Sequence, residues 1–109
     1  MFLDKYLNST YLDLIYNNYN ENYLNTLDED NFIQIYNLLK KYNFYFIDDI
    51  ILNYLELFEI KEEYVDKVLN IIKNEIGNNW IKEIGRNMTI IDKIIELANK
   101  YEYNDLGDS

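Results

Sequence analysis

The sequence predicts an all-α fold, a small single-domain bundle of about five helices. Apolar residues recur at steps of three and four along most of the chain, which is the spacing of one helix face. Pro is absent, and hydrophobic residues make up 49% of the 109 residues, which is enough to build a core. We therefore expect one helical domain over residues 1–103 and a frayed acidic C-terminal tail at residues 104–109.

The first predicted helix spans Phe2 to Tyr19, with Asn8-Ser9-Thr10 as a candidate break. Its apolar stripe consists of Leu3, Tyr6, Leu7, Tyr11, Leu14 and Ile15. Residues 17–25 are rich in Asn, Tyr and Glu and have little periodicity, which predicts a loop. The tyrosines of this region, Tyr16, Tyr19 and Tyr23, are expected to cover the core, with contact to a partner's arginines as the alternative.

Acidic and polar clusters mark the starts of the next two helices. Asp28 to Asn31 opens a second helix that ends at Asn43, because short polar side chains accept the unpaired first-turn N–H groups. Asp48-Asp49 begins a third helix that runs through Phe58.

Glycine marks the helix ends in the second half of the chain. A fourth helix is predicted over residues 61–76, followed by Gly77, which can turn left-handed past its end. Trp80 to Ile84 forms a short helical turn closed by Gly85, and a final helix runs from Thr89 to about Tyr101.

A shift of 33 residues aligns two parts of the chain. The run from Ile35 to Lys40 falls on the run from Val68 to Lys73. Without a gap, Ile51, Leu55, Leu57 and Phe58 fall on Ile84, Met88, Ile90 and Ile91. The pattern predicts two stacked helix-pair repeats; chance agreement in a helical chain rich in Ile, Leu and Asn is the alternative.

The corner from Asn53 to Phe58, the long helix after it and Gly77 resemble the helical repeats of mitochondrial transcription termination factors. The resemblance covers residues 49–92. The chain lacks the Pro that this family places at the corner, and its acidic charge is opposite to that of a nucleic-acid binder. The resemblance therefore implies a helical-repeat architecture and no function.

The negative charge is concentrated in the first two thirds of the chain. Residues 1–66 hold thirteen carboxylates against four lysines, whereas residues 67–101 have a net charge of +2. Within residues 48–66 only Lys61 opposes seven acids, which are the candidate partner-binding residues: Asp48, Asp49, Glu56, Glu59, Glu62, Glu63 and Asp66. Each acid taken alone is explained by helix capping, so the binding hypothesis requires that the seven converge after folding.

Composition excludes several chemistries. The absence of Cys and His removes thiolate chemistry and the commonest metal ligand, and no catalytic, cofactor or metal motif is present. We expect a protein that is not an enzyme, uses no cofactor and is cytoplasmic, since no secretory signal or membrane-spanning run occurs. A net charge of -10 disfavours direct binding to nucleic acid or to anionic membranes.

These features lead to three functional hypotheses. The first is an inhibitor that occupies the basic, nucleic-acid-binding surface of another protein, similar in size and composition to small phage anti-defence and anti-CRISPR proteins. If it is encoded by a phage, the cytoplasm is that of the bacterial host. The second is a helical-repeat adaptor that binds a partner through an apolar groove bearing tyrosines. The third is an immunity protein that neutralises a toxin.

Overall fold

The computed structural model describes residues 1–107, with side chains through Asp105. These residues form helices and no strand, which confirms the all-α class. The α-helices are α1 (Ser9–Asn18), α2 (Glu21–Leu24), α3 (Glu29–Lys41), α4 (Ile47–Asn53), α5 (Glu62–Ile76), α6 (Trp80–Arg86) and α7 (Thr89–Gly107). Two 3₁₀ helices, Phe2–Lys5 and Leu55–Glu59, precede α1 and follow α4.

The helices with clear capping residues begin and end close to their predicted limits. Asp28 Oδ1 accepts the backbone N–H of Asn31 at 3.2 Å, which fixes the start of α3. Helix α5 ends at Gly77, whose φ of 99° is the left-handed conformation that glycine adopts without steric cost. Asn43, with a φ of 68°, follows the end of α3 in the same way.

The described chain has seven α-helices instead of about five, because α2 lies in the predicted loop and the predicted short turn at Trp80 is the helix α6. Two of the predicted helices are also divided, and each gives one 3₁₀ helix. The predicted first helix is broken at Asn8, whose side chain accepts from Tyr11 N at 3.0 Å and caps α1. The predicted loop contains α2, which Asn20 caps. The predicted third helix ends at Asn53, because Tyr54 leaves helical geometry at φ -138° and ψ 46° before the 3₁₀ helix begins.

The C-terminal helix is longer than its predicted end at Tyr101. Helix α7 continues to Gly107, so it includes the first four residues of the segment predicted as a tail. Asp108 and Ser109, the end of that segment, lie outside the described residues.

The buried apolar side chains form one cluster that runs from Leu3 to Ala98. Phe32 on α3 lies near its centre and stacks on Phe58 with ring centroids 4.7 Å apart. At the other side, Trp80 packs edge-on against Tyr42 and Phe44, each at a centroid distance of 5.5 Å. Burial of this continuous apolar surface supplies the main stabilising free energy of the fold.

The predicted 33-residue periodicity is present in the limits of the helices. Helix α3 begins at Glu29 and α5 begins 33 residues later at Glu62. Helix α4 spans Ile47–Asn53, and α6, at Trp80–Arg86, has both limits shifted by 33. We call residues 29–59 the first unit and residues 62–92 the second unit.

Equivalent positions of the two units also share backbone conformation and burial. The residues before the short helices, Phe46 and Asn79, have φ/ψ of -114°/39° and -95°/18°. The buried pairs at a shift of 33 are Phe32 and Val65, Ile35 and Val68, Leu39 and Ile72, Ile47 and Trp80, Ile51 and Ile84, and Phe58 and Ile91. The units therefore stack in sequence around a shared apolar seam.

The described helices include none with both the length and the apolar character needed to cross a membrane.

Candidate functional site

The seven predicted partner-binding acids lie on three consecutive elements of the chain. Asp48 and Asp49 are in the first turn of α4, where negative charge is favourable to the helix dipole. Glu56 and Glu59 belong to the second 3₁₀ helix. The remaining three, Glu62, Glu63 and Asp66, are in the first two turns of α5. All seven side chains are exposed or half-buried.

The seven carboxylates are not neutralised by cations of the described chain. The ion pairs among residues 1–105 join the N-terminal ammonium to Asp4, Lys5 to Glu29 and Arg86 to Glu83. The shortest of the three, between Arg86 and Glu83, has an N···O distance of 3.4 Å. The charge of the seven acids is thus compensated by solvent and salt, and it remains available to a cationic partner.

Tyrosine hydroxyls hold three of these carboxylates. Tyr11 Oη donates to Asp49 Oδ1, and Tyr23 Oη donates to Glu59 Oε2, both at 2.8 Å. A third hydroxyl, that of Tyr42, donates to Asp66. Each bond joins residues far apart in the chain, so the hydroxyls fix the acids to α1, α2 and the end of α3.

Four of the acids lie along the tyrosines of α1 and α2. Tyr11 is close enough to Asp48 and Asp49 for both charges to raise its pKa. Burial is the main cause of the raised pKa of Tyr19 and Tyr23, and the charge of Glu56 adds to it in both. The rings of these two tyrosines stack with centroids 5.7 Å apart. We call these four acids the acidic surface: Asp48, Asp49, Glu56 and Glu59.

The electrostatics of the tyrosines keep them protonated. The hydrogen bond to Asp49 is the main cause of the raised pKa of Tyr11. Burial raises the pKa of Tyr23 and Tyr42, and in each case the neighbouring carboxylate adds to the effect. The three hydroxyls are therefore neutral donors at any physiological pH.

The other three predicted acids are placed differently. Glu62 and Glu63 project from the start of α5. The pKa of Tyr64 is raised mainly by Asp105 of α7, and the charges of Glu63 and Glu102 add to this effect. Asp66 is bonded to Tyr42, and no described contact joins it to the acidic surface. The structure thus connects four of the seven acids as two pairs, Asp48 with Asp49 beside Tyr11 and Glu56 with Glu59 beside Tyr23.

An open cleft of about 290 Å³ lies beside Glu59. Its wall consists of Thr26, Asp28, Asn31, Glu59, Lys61 and Glu102. Two of these acids, Asp28 and Glu102, were not among the predicted site residues; they join Glu59 only because α3 and α7 pack near the same end of α5. The Asn31 side chain closes the cleft floor by donating to the carbonyls of Phe58 and Ile60, at 2.6 and 2.9 Å.

Within residues 1–107, His, Cys, Asp and Glu side chains form no group of three or more with the geometry to hold a metal ion.

The sequence singled out the tyrosines near α2 and the acids separately, but not the contacts between them. Tyr19 and Tyr23 cover the core as expected, and their hydroxyls additionally reach Leu52 O and Glu59. Tyr16 is 49% exposed and points toward Met1 instead. Tyr11 and Tyr42 had no distinguishing signal, because their acid partners are 38 and 24 residues away in the chain.

Comparison with protein-family models, with curated proteins and with solved structures finds no match to this chain. The resemblance to the repeats of transcription termination factors therefore stays a prediction, and function has to be argued from the residues themselves.

Proposed function

We propose that this chain is a small binding protein that inhibits a partner protein by occupying its basic, nucleic-acid-binding surface. One observation carries the proposal: the acidic surface holds four carboxylates, as two pairs on consecutive elements, without a single ion pair to the described part of the chain. A partner's Lys and Arg side chains would supply the missing cations. The inhibition would be steric and electrostatic, because a covered basic surface cannot reach phosphate.

The two units support a functional origin of this charge. At a shift of 33 residues, the four acids correspond to Ile81, Lys82, Thr89 and Asp92, which together have no net charge. Helix α6 forms at the same limits as α4 with one first-turn acid, Glu83, whereas α4 has two, Asp48 and Asp49. Helix capping alone therefore does not account for the acidic surface.

The proposal places the protein in the cytoplasm, where nucleic-acid-binding partners are found. Small size and a net charge of -10 fit the class of phage-encoded inhibitors that includes anti-CRISPR proteins, in which case the cytoplasm is that of a bacterial host.

A second candidate function is an adaptor that holds a partner segment against the stacked helices. The 33-residue repetition of α3–α4 in α5–α6 favours it, because stacked repeats create extended binding surfaces. Tyr45, between α3 and α4, is 73% exposed and offers a large amphipathic contact there. In this reading the acidic surface only maintains solubility.

Partner capture from host lysate at low and high salt separates the two functions. The test variant is Asp48→Lys with Glu56→Lys, two surface acids that accept no tyrosine hydroxyl. The matched control is Glu75→Lys with Glu96→Lys, two exposed acids of the second half. Both double variants change the net charge from -10 to -6, so they differ only in the location of the change.

The inhibitor function predicts that salt releases the partner and that the test variant binds about tenfold or more weakly, whereas the control binds as the wild type does. Capture that is indifferent to salt, with equal affinity for both variants, would favour the adaptor. In that case a Tyr45→Ala variant should lose the partner.

A further inference from the structure

Tyr11 and Tyr23 differ from lysine as partners for a carboxylate. A lysine would hold Asp49 or Glu59 in place but would cancel its charge, whereas a neutral hydroxyl fixes the carboxylate and leaves the charge unchanged. Each bond uses one oxygen, Asp49 Oδ1 or Glu59 Oε2. The second oxygen of each carboxylate accepts no hydrogen bond from the described residues, and the first keeps one free lone pair, so both oxygens can receive a partner's donors.

We propose that Tyr11 and Tyr23 are positioning residues of the acidic surface, which orient Asp49 and Glu59 for the forked guanidinium groups of arginines on the partner. The inference rests on the proposed function and specifies the chemistry of the partner. Orientation matters for arginine because its planar fork binds a carboxylate through two parallel hydrogen bonds. The lysine ammonium is a compact charge and gains less from a fixed carboxylate.

The same hydroxyls reduce the entropic cost of binding. An exposed carboxylate on a rotatable side chain loses conformational freedom when a partner fixes it, and this loss weakens the complex. Asp49 and Glu59 are already restrained by groups on α1 and α2, which are themselves packed on the core through Tyr11, Tyr19 and Tyr23. The restraint is present before the partner arrives.

Tyr42 provides an internal control. Its hydroxyl also donates to a carboxylate, that of Asp66, but no described contact connects this pair to the acidic surface. Tyr42→Phe therefore removes the same type of bond at another place in the fold. Any loss of affinity that comes only from a weakened structure should appear equally in this variant.

The test uses an oligo-arginine peptide and an oligo-lysine peptide of equal length as probes. Their affinities are measured by calorimetry over a series of salt concentrations for the wild type, the Tyr11→Phe/Tyr23→Phe double variant and Tyr42→Phe. Thermal unfolding of each variant first establishes that all are folded at the assay temperature.

We expect the wild type to prefer oligo-arginine. The double variant should bind oligo-arginine about two- to tenfold more weakly for each hydroxyl removed, with a smaller loss for oligo-lysine. The dependence of affinity on salt should not change, because no charge is removed. Tyr42→Phe should bind as the wild type does.

Two results would count against the inference, and they are distinct. If the wild type binds with strong salt dependence but the double variant and Tyr42→Phe lose equal affinity or none, the positioning role is wrong and the proposed function stands. If the wild type binds neither peptide in a salt-dependent way, the proposed function itself fails.

Discussion

The first unit, residues 29–59, and the second unit, residues 62–92, share the limits of their short helices but differ in surface charge and in the segment that follows, which is a 3₁₀ helix in the first unit and the start of α7 in the second. Their short helices, α4 and α6, begin and end at equivalent positions. The residues after these helices, Tyr54 and Asn87, both leave helical geometry near φ -138° and -135°. Six buried positions match as well, although the side chains differ in size, as for Phe32 and Val65. Ile50 is buried in the first unit, whereas its equivalent, Glu83, is not.

The surfaces of the two units show which residues the fold does not require. Glu56 in the first unit corresponds to Thr89 in the second, and Asp49 corresponds to Lys82. Helices α4 and α6 form with either Asp49 or Lys82, so an acid at this position is not required by the helix. Glu56 lies in a 3₁₀ helix, whereas Thr89 begins α7. The comparison separates residues that build the fold from residues that remain available for binding.

The helices that follow the two units, α5 and α7, also differ in which positions are apolar. Helix α5 places Leu69 and Ile72 in the core, whereas the equivalent residues of α7 are Glu102 and Asp105. Helix α7 thus lies at the end of the described stack with polar side chains at positions that are buried in α5. A polar outer face is typical of the last element in a stack of repeats.

The largest expected effect tests whether the two cores are equivalent. Ile51 and Ile84 occupy the same position in the two units, and both are 0% exposed. Ile51→Ala and Ile84→Ala should each lower the free energy of unfolding by about 2–5 kcal/mol, because each removes buried methyl groups and leaves a cavity. Denaturant unfolding checks this. A loss below about 1 kcal/mol for one of the two variants would show that the units are not energetically equivalent.

The sequence predicted the long helices more accurately than the short ones, for a physical reason. Helices α3 and α5 have a clear apolar stripe and a clear stop at Asn43 or Gly77, so local signals define them. The break at Tyr54 has no Pro or Gly to indicate it. It arises because Leu55, Leu57 and Phe58 are all buried, which a continuous helix would not allow on one face.

The acidic segment was visible in the sequence, but its arrangement was not. Charge counting identified all seven acids, whereas the contacts that group four of them come from α1 and α2, about 36 residues earlier in the case of Tyr23 and Glu59. No local pattern encodes such a bond. The sequence did not identify the cleft acids Asp28 and Glu102 as site residues for the same reason, since only the packing of α3 and α7 brings them close to Glu59.

A smaller effect is expected at the junction between the units. The Asn31 amide donates to the carbonyls of Phe58 and Ile60, which ties the first turn of α3 to the segment that leads into the second unit. Asn31→Ala should lower the free energy of unfolding by about 1–3 kcal/mol, because two carbonyls lose their donor. Gln34→Ala, an exposed position of the same helix, is the control and should change stability by less than about 0.5 kcal/mol. Equal effects of the two variants would contradict this role of Asn31.

Alkaline pH should weaken the contact between α5 and α7. The Asp105 carboxylate beside Tyr64 raises the pKa of this tyrosine from 10.0 to about 12. The folded state keeps the proton that the unfolded chain loses, so this contribution is complete below about pH 10 and is lost as pH rises toward about 12. Denaturant midpoints measured across this range should fall less steeply for Tyr64→Phe than for the wild type. An identical slope would mean that the ionisation of Tyr64 is not linked to folding.

The smallest effect concerns the acidic surface itself. Glu56→Thr gives the first unit the residue that the second unit has at Thr89. Because the side chain is exposed and makes no described hydrogen bond, stability should change by less than about 0.5 kcal/mol. Thermal unfolding checks this result. A clear loss of stability would indicate that Glu56 serves the fold rather than binding.

Hydrogen exchange of the protein in complex with its captured partner tests the central claim most directly, because it compares equivalent segments of the two units in one experiment. The account predicts added protection over residues 47–59 and over the adjoining residues 11–23, with residues 80–92 exchanging as they do in the unbound protein. Protection of residues 80–92, or equal protection of both segments, would contradict binding through the acidic surface.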